Sequence, residues 1–91
     1  MVQNKRDDIL RIATQYGASN VRVFGSAARG EAGPESDIDV LIHLASGRSL
    51  LDIVAIKQEL EELLGRKVDV LTESSISPYL RERILREAIP L

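Results

Sequence analysis

The chain has 91 residues and no cysteine, which reads as one small domain (1–91) with a single core and excludes disulfide staples and zinc–thiolate sites. A formal charge of −2, from 12 basic and 14 acidic residues, and only 3% aromatic residues argue against a dedicated nucleic-acid binder, which needs a basic footprint or a stacking platform. Residues 1–11 mix charges of both signs without the apolar centre of a signal peptide, and no apolar run approaches a membrane span, so a soluble cytoplasmic protein is expected.

Residues 4–16 carry Ile9, Ile12, Ala13 and Tyr16 at i, i+3, i+4 and i+7, the apolar stripe of a helix that Gly17 stops. Residues 21–24 form a short strand. Residues 26–29 have room for about one helical turn, with Ser26 as N-cap and Gly30 as the stop. Gly33-Pro34 marks residues 31–36 as an exposed loop.

A second strand spans 37–44. Ser49 and Asp52 then make a capping box that opens a helix to about Leu64, with Ile53, Ile56, Leu60 and Leu63 or Leu64 inward and Gly65 ending it. The third strand, 68–71, carries Asp69 between two valines, and 72–76 reads as polar linker. Ser77-Pro78 starts the last helix as N-cap and N1, with Leu80, Ile84, Leu85 and Ala88 inward and Pro90 closing it.

The expected architecture is α/β (α+β): a small mixed three-stranded sheet flanked by about four helices. The passage from the second strand to the third should be a right-handed crossover between parallel strands. The first strand must then run antiparallel to the second, so that its last residues lie beside the second's first ones. That topology gathers Gly25, Ser26, Asp37, Asp39 and Asp69 at one edge of the sheet.

Along a strand successive side chains alternate between faces, so Asp37 and Asp39 share one face while Ile38, Val40 and Ile42 feed the core. Such a carboxylate pair suits a hard divalent cation such as Mg²⁺, which takes oxygen ligands and keeps bonds to substrate phosphates. Three crowded carboxylates repel one another, and a cation relieves that. Setting the three aspartates aside moves the formal charge from −2 to +1, so the remaining surface is nearly neutral. Gly25 permits close backbone approach, and Ser26 adds a hydroxyl to the backbone N–H donors of a helix start, a combination suited to a triphosphate.

Other polar residues have plainer readings. Arg29 can reach a phosphate or lie on the surface. His43 shares the aspartates' face but stands roughly 13 Å beyond Asp39 at strand rise, too far to be a ligand. Tyr79 reads as packing against or capping the last helix. Arg81, Arg83 and Arg86 alternate with Glu82 and Glu87, as on a solvated helix face or on one that meets a partner.

Gly25-Ser26, Ala28-Arg29-Gly30, Ser36-Asp37-Ile38-Asp39-Val40 and Val68-Asp69-Val70 together resemble the nucleotidyltransferases of the DNA polymerase β-like superfamily. They are similar in particular to the minimal nucleotidyltransferases (MNT domains) that pair with HEPN-domain proteins, and the resemblance runs from the first helix to Leu91. It implies that Gly25, Ser26 and Arg29 hold the nucleotide. It also implies that Asp37 and Asp39 bind two Mg²⁺ ions, with Asp69 completing the site of the catalytic one. AMP would pass from ATP to a tyrosine hydroxyl of a HEPN-type toxin, making the chain an antitoxin. The chemistry is coherent by itself, since two metals roughly 3.5–4 Å apart can clamp both oxygens of an in-line displacement. The alternative is a non-catalytic binding antitoxin that silences its partner by contact; transfer to a small molecule or a nucleic acid is a third reading.

Overall fold

The computed structural model describes residues 5–31, 33 and 37–91. In chain order they form α1 (Arg6–Gln15), β1 (Ala18–Phe24), β2 (Ile38–Leu44), α2 (Leu50–Leu64), β3 (Val68–Thr72), a 3₁₀ turn (Glu73–Ser75), α3 (Pro78–Glu87) and β4 (Ile89–Pro90). The sheet order is β3-β2-β1-β4. β1 is antiparallel to β2 and to β4, and β2 is parallel to β3, so the expected directions of the three main strands hold.

The element count differs from the sequence reading: the described residues hold four strands and three α-helices, not three and four. The extra strand is Ile89–Pro90, which pairs with Val23 and Arg22. A proline lacks the N–H that a central strand needs but fits an edge, so Pro90 joins the sheet instead of ending the helix. Residues 26–29 do not become a helix. A single turn fixes several residues for very few hydrogen bonds, and 25–30 fold as consecutive turns. Part of the linker read over 72–76 winds into the 3₁₀ turn. The expected helix start at residue 4, and most of the 31–36 loop, lie outside the described residues.

The caps follow the sequence. The Ser49 hydroxyl accepts from the Leu51 N–H (3.2 Å), and the Asp52 carboxylate accepts from the Ser49 N–H (3.0 Å), closing the predicted capping box on α2. β1 starts earlier than expected, at Ala18, because a register irregularity between Ser19 and Arg22, with Asn20 at φ +51, lets the strand continue.

The two faces of the sheet are unequal. Val21, Ile38, Val40, Ile42 and Val68 meet Ile9, Ile12 and Ala13 of α1 and Ile56, Leu60 and Leu64 of α2 in the main core. Among the described residues, the opposite, thin face holds a small buried apolar cluster, Phe24, Leu41 and Ile76, with Leu71, Ile84 and Ala88 packed against it. That area is too small to cover α3 as the sequence predicted: Ile84 and Ala88 pack, while Leu80 and Leu85 stay exposed and Tyr79 is 95% exposed. Tyr79 therefore neither packs nor caps.

Arg22 is buried on the thin face. Its Nη1 donates to Glu73 (2.7 Å) and its Nε to the Asn20 carbonyl (3.0 Å), while Nη2 has no partner among the described residues. The pair fastens the 3₁₀ turn to β1 and holds the Glu73 carboxyl below its ordinary range.

Candidate active site

The strand carboxylates stand on the thin face. Asp39 is the second residue of β2, and the parallel register sets it directly beside Asp69, the second residue of β3. On its other side Asp39 pairs with Phe24, the last residue of β1. Exposed Asp37 lies just before β2, two residues from Asp39.

Gly25 follows Phe24 with φ +69. A Cβ built on it would stand 2.5 Å from Oδ2 of Asp39. The chain therefore leaves β1 with its backbone against the Asp39 carboxylate, in a conformation that favours glycine and a space that a Cβ enters only if that carboxylate or the turn shifts. The Gly25 carbonyl accepts from the N–H groups of Ala28 (3.1 Å) and Arg29 (3.2 Å), and the Ser26 carbonyl from that of Glu31 (2.9 Å). Gly25, not Ser26, thus takes the position from which the turn starts, and Ser26 follows it half-buried.

Electrostatics tie these parts together. Burial pushes the Asp39 carboxyl above its ordinary value, and repulsion from Asp69 and then Asp37 adds to it, while Arg29 opposes. The Arg29 guanidinium itself bonds to Glu31 (3.1 Å) and to Glu87 of α3 (3.4 Å). These acids raise its own pKa further.

Among the described residues no group of three or more histidine, aspartate or glutamate side chains is arranged to hold a metal ion. Asp39 feels the charges of Asp69 and Asp37 at one end of the sheet, and the three do not close a coordination shell. Their chemistry nevertheless fits a hard divalent cation, which takes carboxylate oxygens and would favour the ionised form of a carboxyl that its neighbours disfavour.

His43 lies exposed toward the other end of β2. A cavity of about 480 Å³ opens at that same end, bordered by His43, Arg48, Glu73 and Arg81, and is remote from the carboxylates. On α3, Arg83 pairs with Glu87 and Arg86 with Glu82, as on a solvated face. The sequence reading missed two supporting ion pairs, Arg22–Glu73 and Lys57–Glu61. The second was signalled by its i, i+4 spacing on α2; the first joins residues far apart in the chain and had no local sign.

Comparison with known proteins gives a consistent picture. Residues 7–91 match the family model described as a nucleotidyltransferase domain. A Methanocaldococcus jannaschii protein assigned as a protein adenylyltransferase is 51% identical over 81 residues, spanning 89% of this chain and 87% of that one. The protein adenylyltransferase MntA of Thermococcus cleftensis is 37% identical, over 82% of this chain and 76% of its own. A solved structure assigned as a minimal nucleotidyltransferase superposes with a TM-score of 0.90 at 49% identity, covering 99% of this chain and 92% of that one. Two more distant structures share the fold. A toxin–antitoxin complex with AMP-PNP matches at 23% identity and TM-score 0.79, covering 99% of this chain and 72% of that one. The complex of an MNT antitoxin with a tri-AMPylated HEPN toxin from Shewanella oneidensis matches at 20% and 0.74, covering 99% and 71%.

Proposed function

This chain belongs to the nucleotidyltransferase domain family, and we propose that it is a Mg²⁺-dependent protein adenylyltransferase that moves AMP from ATP to a tyrosine of a HEPN-type toxin. In this reading it acts as the antitoxin, and residues 1–91 make up one minimal nucleotidyltransferase domain. The observation that carries the reading is the pairing of Asp39 with Asp69 beside the side-chain-free backbone of Gly25. The relatives named as protein adenylyltransferases support the reaction class. The AMP-PNP complex supports ATP as the substrate, and the modified toxin bound to an MNT antitoxin supports the partner, both by shared fold.

Asp37, Asp39 and Asp69 are the residues that would hold Mg²⁺. When bound, Mg²⁺ neutralises charge on the triphosphate and its departing pyrophosphate and lowers the pKa of the attacking hydroxyl. The chain's own part is placement. Gly25 admits the phosphate tail close to the backbone, and Ser26 offers its hydroxyl to that tail. Arg29 exchanges Glu31 and Glu87 for phosphate oxygens, a swap of one set of anionic partners for another.

The test is to incubate the chain with labelled ATP, Mg²⁺ and a HEPN-type protein from the same source, then to weigh that protein by mass spectrometry. Added nucleotide mass on a tyrosine is expected with the parent chain and not with an Asp37→Ala, Asp39→Ala variant. If both chains silence the partner equally and neither adds mass, the protein works by contact alone.

A further inference from the structure

β3 is an edge strand, so half of its backbone groups face away from the sheet. The Ile38 N–H donates to the Lys67 carbonyl (3.0 Å), and residues alternate from there. Asp69 and Leu71 thus turn their backbone groups toward β2, and Val68, Val70 and Thr72 turn theirs to the open edge. Unpaired edge groups let a strand fray or slip.

Val68 is nonetheless paired. Its N–H donates to Oε2 of Glu61 (3.0 Å), and its carbonyl accepts from Nζ of Lys57 (2.7 Å). The same Nζ donates to the same Oε2 (2.8 Å). One acceptor and one donor, locked together by their own ion pair, thus do for Val68 what a neighbouring strand would do. Lys57 and Glu61 stand one turn apart on α2 and reach over a residue that is fully buried. At the other end of the edge Thr72 is held separately, its N–H bonding to Oγ of Ser75 (3.2 Å), which donates to the Thr72 carbonyl (2.8 Å).

The residue after Val68 is Asp69. We propose that Lys57 and Glu61 form a clamp that positions the Asp69 carboxylate opposite Asp39, making both of them positioning residues for the cation site. This rests on the reading of Asp37, Asp39 and Asp69 as that site. Side chains that orient metal ligands from behind typically change metal affinity about 10–100-fold when removed.

The experiment measures Mn²⁺ binding, in the presence of a non-hydrolysable ATP analogue, together with amide hydrogen exchange, on the full chain. Lys57→Met keeps the apolar stem and removes the donor. It should speed exchange at Val68 and weaken Mn²⁺ binding about 10–100-fold, with Lys57→Arg restoring most of the affinity. Ser75→Ala loosens the same strand at its other end and should leave Mn²⁺ affinity nearly unchanged. If Lys57→Met speeds Val68 exchange while Mn²⁺ affinity stays at the parent's value, or if Ser75→Ala weakens binding as much, the clamp only protects an edge and the proposal is overturned. A parent chain whose Mn²⁺ binding is indifferent to Asp69→Ala overturns the cation-site reading first, and the clamp's role with it. If Lys57→Met fails to fold, Glu61→Gln tests the same clamp from its acceptor side.

Discussion

Replacing Gly25 by alanine separates two effects that the structure places at one atom. An L-residue held at φ +69 costs roughly 1–2 kcal/mol, which for a domain of this size lowers the melting temperature by roughly 4–16 °C. The new Cβ would also stand 2.5 Å from Oδ2 of Asp39, where ordinary contact begins at 3.4 Å, so the carboxylate or the turn must move by nearly 1 Å. A displacement of that size in a catalytic constellation costs on the order of 10²-fold in rate. Gly30 supplies the control, because it sits at φ +72 with nothing within 4 Å of a built Cβ. Gly25→Ala and Gly30→Ala should therefore lose similar stability to backbone strain, with an added loss in Gly25→Ala that disappears when Asp39 is also changed to alanine. Only Gly25→Ala should lose transfer by about a hundredfold. The assays are thermal melts in chelator and initial rates of labelled AMP transfer. Equal melting temperatures and equal rates for the two variants would refute the contact argument.

Asp39→Asn should abolish transfer, yet raise the melting temperature in chelator, because it removes a half-buried charge that Asp69 and Asp37 repel; a lower melting temperature would count against that repulsion. Glu73 has its folded pKa below the ordinary 4.5 through its bond to Arg22. Its stabilisation is therefore present above that value and fades as pH falls through the folded pKa. Urea midpoints taken from pH 5.5 down to 3 should fall less steeply in Glu73→Gln than in the parent. Ile56→Ala, at a site with 0% exposure, should cost about 2–5 kcal/mol, whereas Leu85→Ala should stay within about 0.5 kcal/mol, both read from urea unfolding.

Local signals carried most of the fold. The stripe of Ile9, Ile12 and Ala13, the Ser49–Asp52 box and the alternation around Asp39 all act within a few residues, so they can be read from the chain. The parallel run of β2 and β3 followed from the crossover between them, and with it the meeting of Asp39 and Asp69, whereas the antiparallel direction of β1 followed from bringing its last residues beside the first of β2. What stayed hidden depends on distant partners. Ile89 and Pro90 become a strand only because β1 has a free edge to fill. Leu80 and Leu85 look like core at helical spacing, but the thin face has no room for them. The contact of Arg29 with Glu87, which is distant in the chain, and the Lys57–Glu61 hold on Val68 have no local sign that marks them. Nor does the turn at 25–30, where the cap falls one residue earlier than a serine would suggest.

The inequality of the two faces also divides the molecule energetically. Among the described residues, α3 contributes no buried side chain, and it is held by the packing of Ile84 and Ala88, by the Arg29–Glu87 ion pair and by the short strand and Leu91 that follow it. The other face is joined to α1 and α2 through a contiguous buried core. Segments with few buried contacts open at free energies well below that of global unfolding. In native-state hydrogen exchange under rising denaturant, the amides of Ile84 and Leu85 should merge into a shared low-energy opening while those of Ile12 and Leu60 still require the whole domain to unfold. The carboxylates of Asp39 and Asp69 lie on the face that this opening uncovers, so the polar end of the sheet can change its surroundings while the scaffold beneath it stays closed.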